Sequence, residues 1–201
     1  MEHSGIMSKQ ELMDELVDEV GQCQRCRLWE RAKKAVPGEG NLDASIMFIG
    51  EAPGYWEDVK GRPFVGAAGR LLDELLSSID LNRGDVYIGN IIKHRPPNNR
   101  DPRRDEVEAC SAYLDRQIEI VEPSIILTLG RHSAKYVLSK VDVKMRGITE
   151  VRGRIYMGKL FGFPGRVMPT FHPAAALYNP GYRSALEEDF QRLKKELETL
   201  A

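Results

Sequence analysis

Short apolar runs of strand length alternate with helical segments along this sequence, and the runs close on glycine or on chemically distinctive residues. That alternation predicts an α/β fold of three layers, α/β/α, with right-handed crossovers, a mostly parallel sheet and helices on both faces. A second observation agrees with it. At 201 residues the chain is most simply one domain, spanning 1–201, and a chain of this size buries roughly two-thirds of its unfolded surface. No internal repeat, low-complexity tract or interdomain linker interrupts it.

The elements follow in order. Ser8 with Glu11 is a capping box, opening a helix to about Val20 with Leu12, Leu16 and Val20 on one face. Gly21 ends it, so Cys23 and Cys26 stand just beyond a helix C-terminus. Ser45–Ile49, closed by Gly50, is a buried strand. Glu51–Val65 reads as a long loop because Pro53, Gly54, Gly61 and Pro63 punctuate it. Leu71, Leu72, Leu75 and Leu76 set a helical period from Gly66 to about Ile79. Asp85–Ile92 is a second strand, and the proline-rich His94–Pro102 a loop. A helix runs from about Arg103 to Val121, stopped by Pro123. Ser124–Leu129 is the third strand, followed after Gly130 by a short helix to about Leu138. The alternating, glycine-bearing stretch from Gly147 to Phe163 suggests an inserted β-hairpin. Arg166–Phe171 is the fourth strand, and an amphipathic helix from Arg183 to Leu200 closes the chain.

Composition excludes several classes. Twenty-nine basic side chains against 30 acidic ones give a net charge of −1, which rules out a uniformly basic nucleic-acid coat and leaves room for a local patch. No run of about 18 apolar residues is present, so no membrane-spanning helix is expected. The start, MEHSGIMSKQELMDEL, lacks the basic and apolar regions of a secretory signal, and a cytosolic protein is expected. Three cysteines are too few for a disulfide framework. The C-x-x-C of Cys23 and Cys26 points to metal or redox chemistry. A thioredoxin-like motif would begin a helix rather than follow one.

In doubly wound sheets the site lies beyond the carboxyl ends of the strands. Gly50-Glu51, Asn90 and His172-Pro173 all fall there, so separate segments converge on one cleft. The segments GEAPGYWEDVKGRPFVGAAGRLL (50–72), YIGNIIKHRPPNNRDP (87–102) and PTFHPAAAL (169–177) resemble the motifs of the family 4, iron–sulfur uracil-DNA glycosylases. The likeness runs from the C-x-x-C to the final helix. It implies a central four-stranded parallel sheet between helices, and hydrolysis of the N-glycosidic bond of deoxyuridine in DNA.

The resemblance also implies roles. Phe64 matches the residue that stacks on the base, and Asn90 the reader of uracil, whose N3–H and O4 suit one acceptor and one donor. His172 matches the donor to uracil O2, where charge builds as the bond breaks. Gly50, Glu51 and Ala52 match the first motif. Other glycosylases of the superfamily carry a water-activating aspartate where Ala52 stands, so Glu51 takes over part of that task or leaving-group stabilisation carries most of the rate. Glu57 and Asp58 are further carboxylates in reach. Read without the family, the alternative for Phe64 is a loop-anchoring core phenylalanine, and for Asn90 a loop residue bonding nearby backbone.

Family members bind a [4Fe–4S] cluster through four cysteines. Cys23, Cys26 and Cys110 match three of them, and His94 stands in the fourth place. A cluster with histidine as fourth ligand, a zinc ion, or a site without metal all remain open. Lys93, Arg95, Arg100, Arg103 and Arg104 form a dense basic stretch suited to DNA phosphates. Leu177 sits where related enzymes probe the duplex, and Trp56 could stack a flanking base. The reading is a monomeric repair enzyme acting on uracil-containing DNA. A uracil-DNA sensor of little activity and a nucleoside hydrolase on the same scaffold are the alternatives.

Overall fold

The computed structural model describes residues 7–200; positions 1–6 of the N-terminal stretch read above for a signal lie outside them. Helix α1 (Lys9–Gly21) opens with the expected reciprocal cap between Ser8 and Glu11. Strands β1 (Glu39–Gly40) and β2 (Ile46–Gly50) follow, then α2 (Tyr55–Lys60), α3 (Ala67–Ser77) and β3 (Tyr87–Asn90). Next come α4 (Arg104–Val121), β4 (Ile125–Leu129), α5 (Arg131–Lys140) and α6 (Ile148–Val151). The chain ends with β5 (Tyr156–Leu160), β6 (Phe163–Thr170), α7 (Pro173–Ala176) and α8 (Pro180–Glu198).

Among the described residues the sheet has six strands in the order β1-β3-β2-β4-β6-β5. Its inner four are parallel, as expected, and two antiparallel strands extend it: β1 beside β3, and β5 beside β6. Every residue of β2, β3 and β4 is buried. Such double-sided burial is why these strands read as unbroken apolar runs rather than as alternating ones. One face packs on α1, α4 and α5 through Leu16, Leu114 and Val137; the other packs on α3 and α8 through Leu72, Leu76, Leu186 and Phe190.

Three sequence expectations need correction. The segment 51–65 is not all loop, because α2 forms inside it between Gly54 and the left-handed Gly61. The hairpin is real, but its second strand is the fourth core strand itself, which begins at Phe163. Residues 148–151 of the same stretch are helical.

Parallel register positions the site. Gly50 pairs with Asn90, and Leu129 with Thr170. The carboxyl ends of β2, β3 and β6 therefore open on one edge, and His172 follows two residues after β6.

Candidate active site and thiol centre

A cleft of about 330 Å³ opens at that edge, lined among others by Glu51, Ala52, Glu57, Phe64, Asn90, Arg100 and His172. It brings together the three segments that the sequence places there. A side chain at Gly50 would put Cβ 2.3 Å from Asn90 Oδ1 and 2.7 Å from Phe64 Cζ. Only glycine lets the amide and the ring close over the strand end. Asn90 is buried, and among the described residues its Oδ1 has no hydrogen-bond partner. A buried acceptor left unpaired is costly, and one beside a cleft is an acceptor held ready for a ligand donor.

Phe64 sits in the left-handed region at φ 50°. Its backbone is held from two sides. Arg83 donates to the carbonyls of Pro63 and Phe64 while pairing with Glu39 and Asp73. Helix α3 passes so close at Gly69 that a Cβ there would fall 1.7 Å from the Phe64 oxygen. Glu57 completes the turn by accepting from the Val65 and Gly66 amides at 2.7 and 2.8 Å. Asp58 faces the other way and accepts from the Lys33 amide at 2.8 Å. Both carboxylates serve the loop rather than stand free as bases.

His172 caps α7: its Nδ1 accepts from the Ala174 amide at 3.1 Å. The ring proton of the neutral imidazole is therefore on Nε2. Burial holds its pKa down to about 4, with Glu57 opposing weakly. Glu51 is half-buried at the cleft, and desolvation raises its pKa while His132 pulls it back. His132 Nε2 lies 3.8 Å from the Glu51 carboxylate and 3.5 Å from that of Asp101. Arg131 pairs with Asp101 and donates to His132 at 3.1 Å. The sequence reading missed His132 and Asp101. His132 lies in the first turn of α5 and Asp101 in the loop before α4, and no local motif joins them to Glu51.

Burial lifts the Cys110 thiol to about 11, Lys93 opposes, and the nearby Cys26 and Cys23 add to the rise. Cys26 is raised chiefly by desolvation. The Lys93 amide donates to Cys110 Sγ at 3.2 Å. His94 is buried and shares a cavity with Cys23. A tetrahedral zinc ion with bonds of about 2.3 Å needs sulfurs about 3.8 Å apart. Among the described residues, only Glu51, Asp101 and His132 bring three donor atoms within 4.8 Å of one another. As their side chains stand, the cysteines and His94 do not form such a group of three.

A family model described as the uracil DNA glycosylase superfamily matches residues 37–198. The chain is 56% identical over 186 residues to a type-4 uracil-DNA glycosylase of Saccharolobus solfataricus, covering 92% of this chain and 86% of that one. A protein of the same name from Archaeoglobus fulgidus is 47% identical over 183 residues, 91% and 92% of the two chains. This chain belongs to the type-4 uracil-DNA glycosylases.

In this type-4 member the basic stretch divides. Lys93 is 0% exposed and cannot reach a phosphate, which corrects the sequence reading; the strand-end geometry draws it inward. Arg100 lines the cleft but is paired with Glu106 at 2.5 Å. Arg104 pairs with Glu108 on the surface. Arg95 donates to Asn99 and lies over the Tyr55 ring at 5.2 Å. Arg103 is exposed at the start of α4. Leu177 is 46% exposed just after α7, and Trp56 54% exposed on α2. No described helix is long and apolar enough to cross a membrane.

Proposed function

We propose that this chain hydrolyses the N-glycosidic bond of deoxyuridine in DNA, releasing uracil and leaving an abasic site, and that it acts as a monomer. The observation that carries the reading is the unpartnered Oδ1 of Asn90, buried at a cleft that also holds Phe64 and a neutral imidazole. Asn90 Oδ1 accepts from uracil N3–H and its amide nitrogen donates to O4. Cytosine presents the opposite pair and is rejected, because both buried groups would face like partners.

As C1′–N1 breaks, its electron pair passes into the uracil ring and negative charge gathers on O2. The His172 Nε2–H donates to that oxygen, and a neutral imidazole serves because it keeps its proton while lending a dipole. Water adds to C1′ and gives up a proton. Glu51 is the carboxylate at the cleft placed to take it, and its desolvation makes it a stronger base than a solvated one. Ala52 offers no such group. Arg95 and Arg103 hold phosphates, while Leu177 and Trp56 meet the strand beside the uracil.

Cys23, Cys26, Cys110 and His94 fit a [4Fe–4S] cluster. Soft thiolates with one imidazole suit iron. When bound, such a cluster supplies a covalent tie between the end of α1, the His94 loop and α4. Excision tests the function: a uracil-containing oligonucleotide incubated with the protein and then treated with alkali should break at the uracil. A second reading, a uracil-DNA sensor, draws on Ala52. Retention of uracil-DNA without cleavage would select it.

A further inference from the structure

Lys93 is fully buried, and neither of the groups that its ammonium meets is a carboxylate. Removing an ammonium from water costs several kcal/mol unless its donors are well met. Here Nζ donates to the backbone carbonyl of Asn90 at 2.8 Å and to Gln117 Oε1 at 2.6 Å. Gln117 is itself fixed, because its Nε2 donates to the Pro37 carbonyl at 2.8 Å and to the Tyr87 hydroxyl at 2.9 Å. The Lys93 main chain is held as firmly: its amide donates to Cys110 Sγ and its carbonyl accepts from the Val36 amide at 2.7 Å. A methionine of similar length would fill the same space without the desolvation cost. The ammonium therefore has a task that packing does not explain.

The carbonyl it grips belongs to the last residue of β3. Beyond that residue the chain leaves the sheet, and the Ile91 and Ile92 amides donate to Gly50 and Glu51 on the β2 side. The Asn90–Ile91 peptide is thus held at both ends, its N–H donating to Gly50 and its C=O accepting from Lys93, and this fixes the Asn90 Cα from which the side chain projects. We propose that Lys93 is a positioning residue for base recognition: clamped by Gln117, its ammonium fixes the Asn90 peptide so that the amide stands over Gly50, facing the base. This rests on the uracil-reading role given to Asn90 above. It also makes one residue the link between the thiol centre, through its amide, and the base reader, through its ammonium.

A double-mutant cycle tests it. Single-turnover excision is measured for the parent, Lys93→Met, Asn90→Ala and the double variant, with the visible absorption of each stock recorded. A misplacement of about 1 Å at a reacting group costs on the order of 100-fold, so Lys93→Met is expected to lose about 10- to 100-fold. Because Lys93 acts through Asn90, the double variant should be no slower than Asn90→Ala within about 2-fold. Multiplying losses would overturn the proposal, and so would a Lys93→Met protein as active as the parent. Multiplying losses together with lost absorption would assign Lys93 to the thiol centre alone. If Lys93→Met fails to fold, Gln117→Met enters the same cycle, with the same outcomes for and against. If the parent excises no uracil, the function reading fails separately. The cycle is then read from affinities for a uracil-containing oligonucleotide, by the same additivity criterion.

Discussion

The rings of Phe64 and His172 stack in the cleft with centroids 5.6 Å apart and planes 25° from parallel. Phe64 thus covers one side of the imidazole with apolar surface and helps to deny it water. The same phenylalanine is held in a left-handed conformation by Arg83 and by the bare Gly69 of α3. A loop conformation set by an arginine and a glycine therefore reaches the acid–base state of a histidine more than a hundred positions away.

That state has a measurable consequence. With Nδ1 committed to the Ala174 amide and a pKa near 4, His172 should stay neutral at pH 5.5, where a solvated histidine is mostly charged. Its ring resonances are expected not to move between pH 8 and 5.5; a titration centred near 6.5 would refute this. The sign for stability follows. Between about 4 and 6.5 the unfolded chain binds a proton that the native chain refuses, so stability falls as pH drops through that window. The loss is about 3 kcal/mol by pH 4, and it should be absent from His172→Gln when the two proteins' unfolding curves are compared.

Replacing His172 by alanine removes the donor to O2 and should slow excision by about 100- to 1,000-fold. Uracil-DNA affinity should change much less, because charge develops on O2 only as the bond breaks. Equal losses in binding and in single-turnover rate would contradict that assignment.

Gly50→Ala gives the sharpest steric test. Its new methyl would overlap Asn90 Oδ1 and the Phe64 ring, so the side chains that line the cleft must move and base entry should suffer. The variant is expected to remain soluble and to lose at least about 100-fold in excision, since a displaced reader no longer matches the base. Retained activity would mean that the amide does not read the base from its present position.

The thiol centre makes a different demand. Loss of a metal ligand removes folding energy directly. Cys23→Ala or Cys110→Ala should give mostly insoluble protein, and the soluble remainder should be colourless and unfold more than about 10 °C lower, equivalent to several kcal/mol in a chain of this size. A soluble, active Cys23→Ala/Cys110→Ala protein would exclude a structural metal.

Much of this was legible in residue patterns. The Ser8–Glu11 cap, the leucine period of α3 and the apolar runs of β2 and β4 are local signals, and each forms where expected. Helix α2 was not legible: six residues between two glycines, with Tyr55 and Trp56 exposed, carry no apolar face to betray a helix. Strand β1 has only two residues, too few for any period. Lys93 misled because a run of like charges reads as a solvated loop. Its burial shows only in the fold, where its ammonium turns inward to the Asn90 carbonyl and Gln117. His132 and Asp101 reach Glu51 through the tertiary fold alone.

Asp189 offers a last test of how the His172 strand end is supported. It is fully buried on α8, and it accepts from Thr170 Oγ1 at 2.6 Å and from the Arg152 guanidinium at 2.9 and 3.0 Å. Desolvation nevertheless raises its pKa above the usual carboxylate value, so the hydrogen bonds do not fully offset the loss of water. Removing one partner of such a pair is far worse than never having had it. Asp189→Ala would leave Arg152, itself mostly buried, without its counter-charge and Thr170 without its acceptor. The expected cost is about 3–5 kcal/mol, read as a fall of roughly 10 °C or more in thermal midpoint. Thr170 ends β6 two residues before His172, so the surviving folded protein should also excise uracil more slowly. Asp189→Asn keeps the shape and an acceptor for Thr170, and should recover part of both losses. An Asp189→Ala protein as stable as its parent would show that α8 and β6 are held by packing alone.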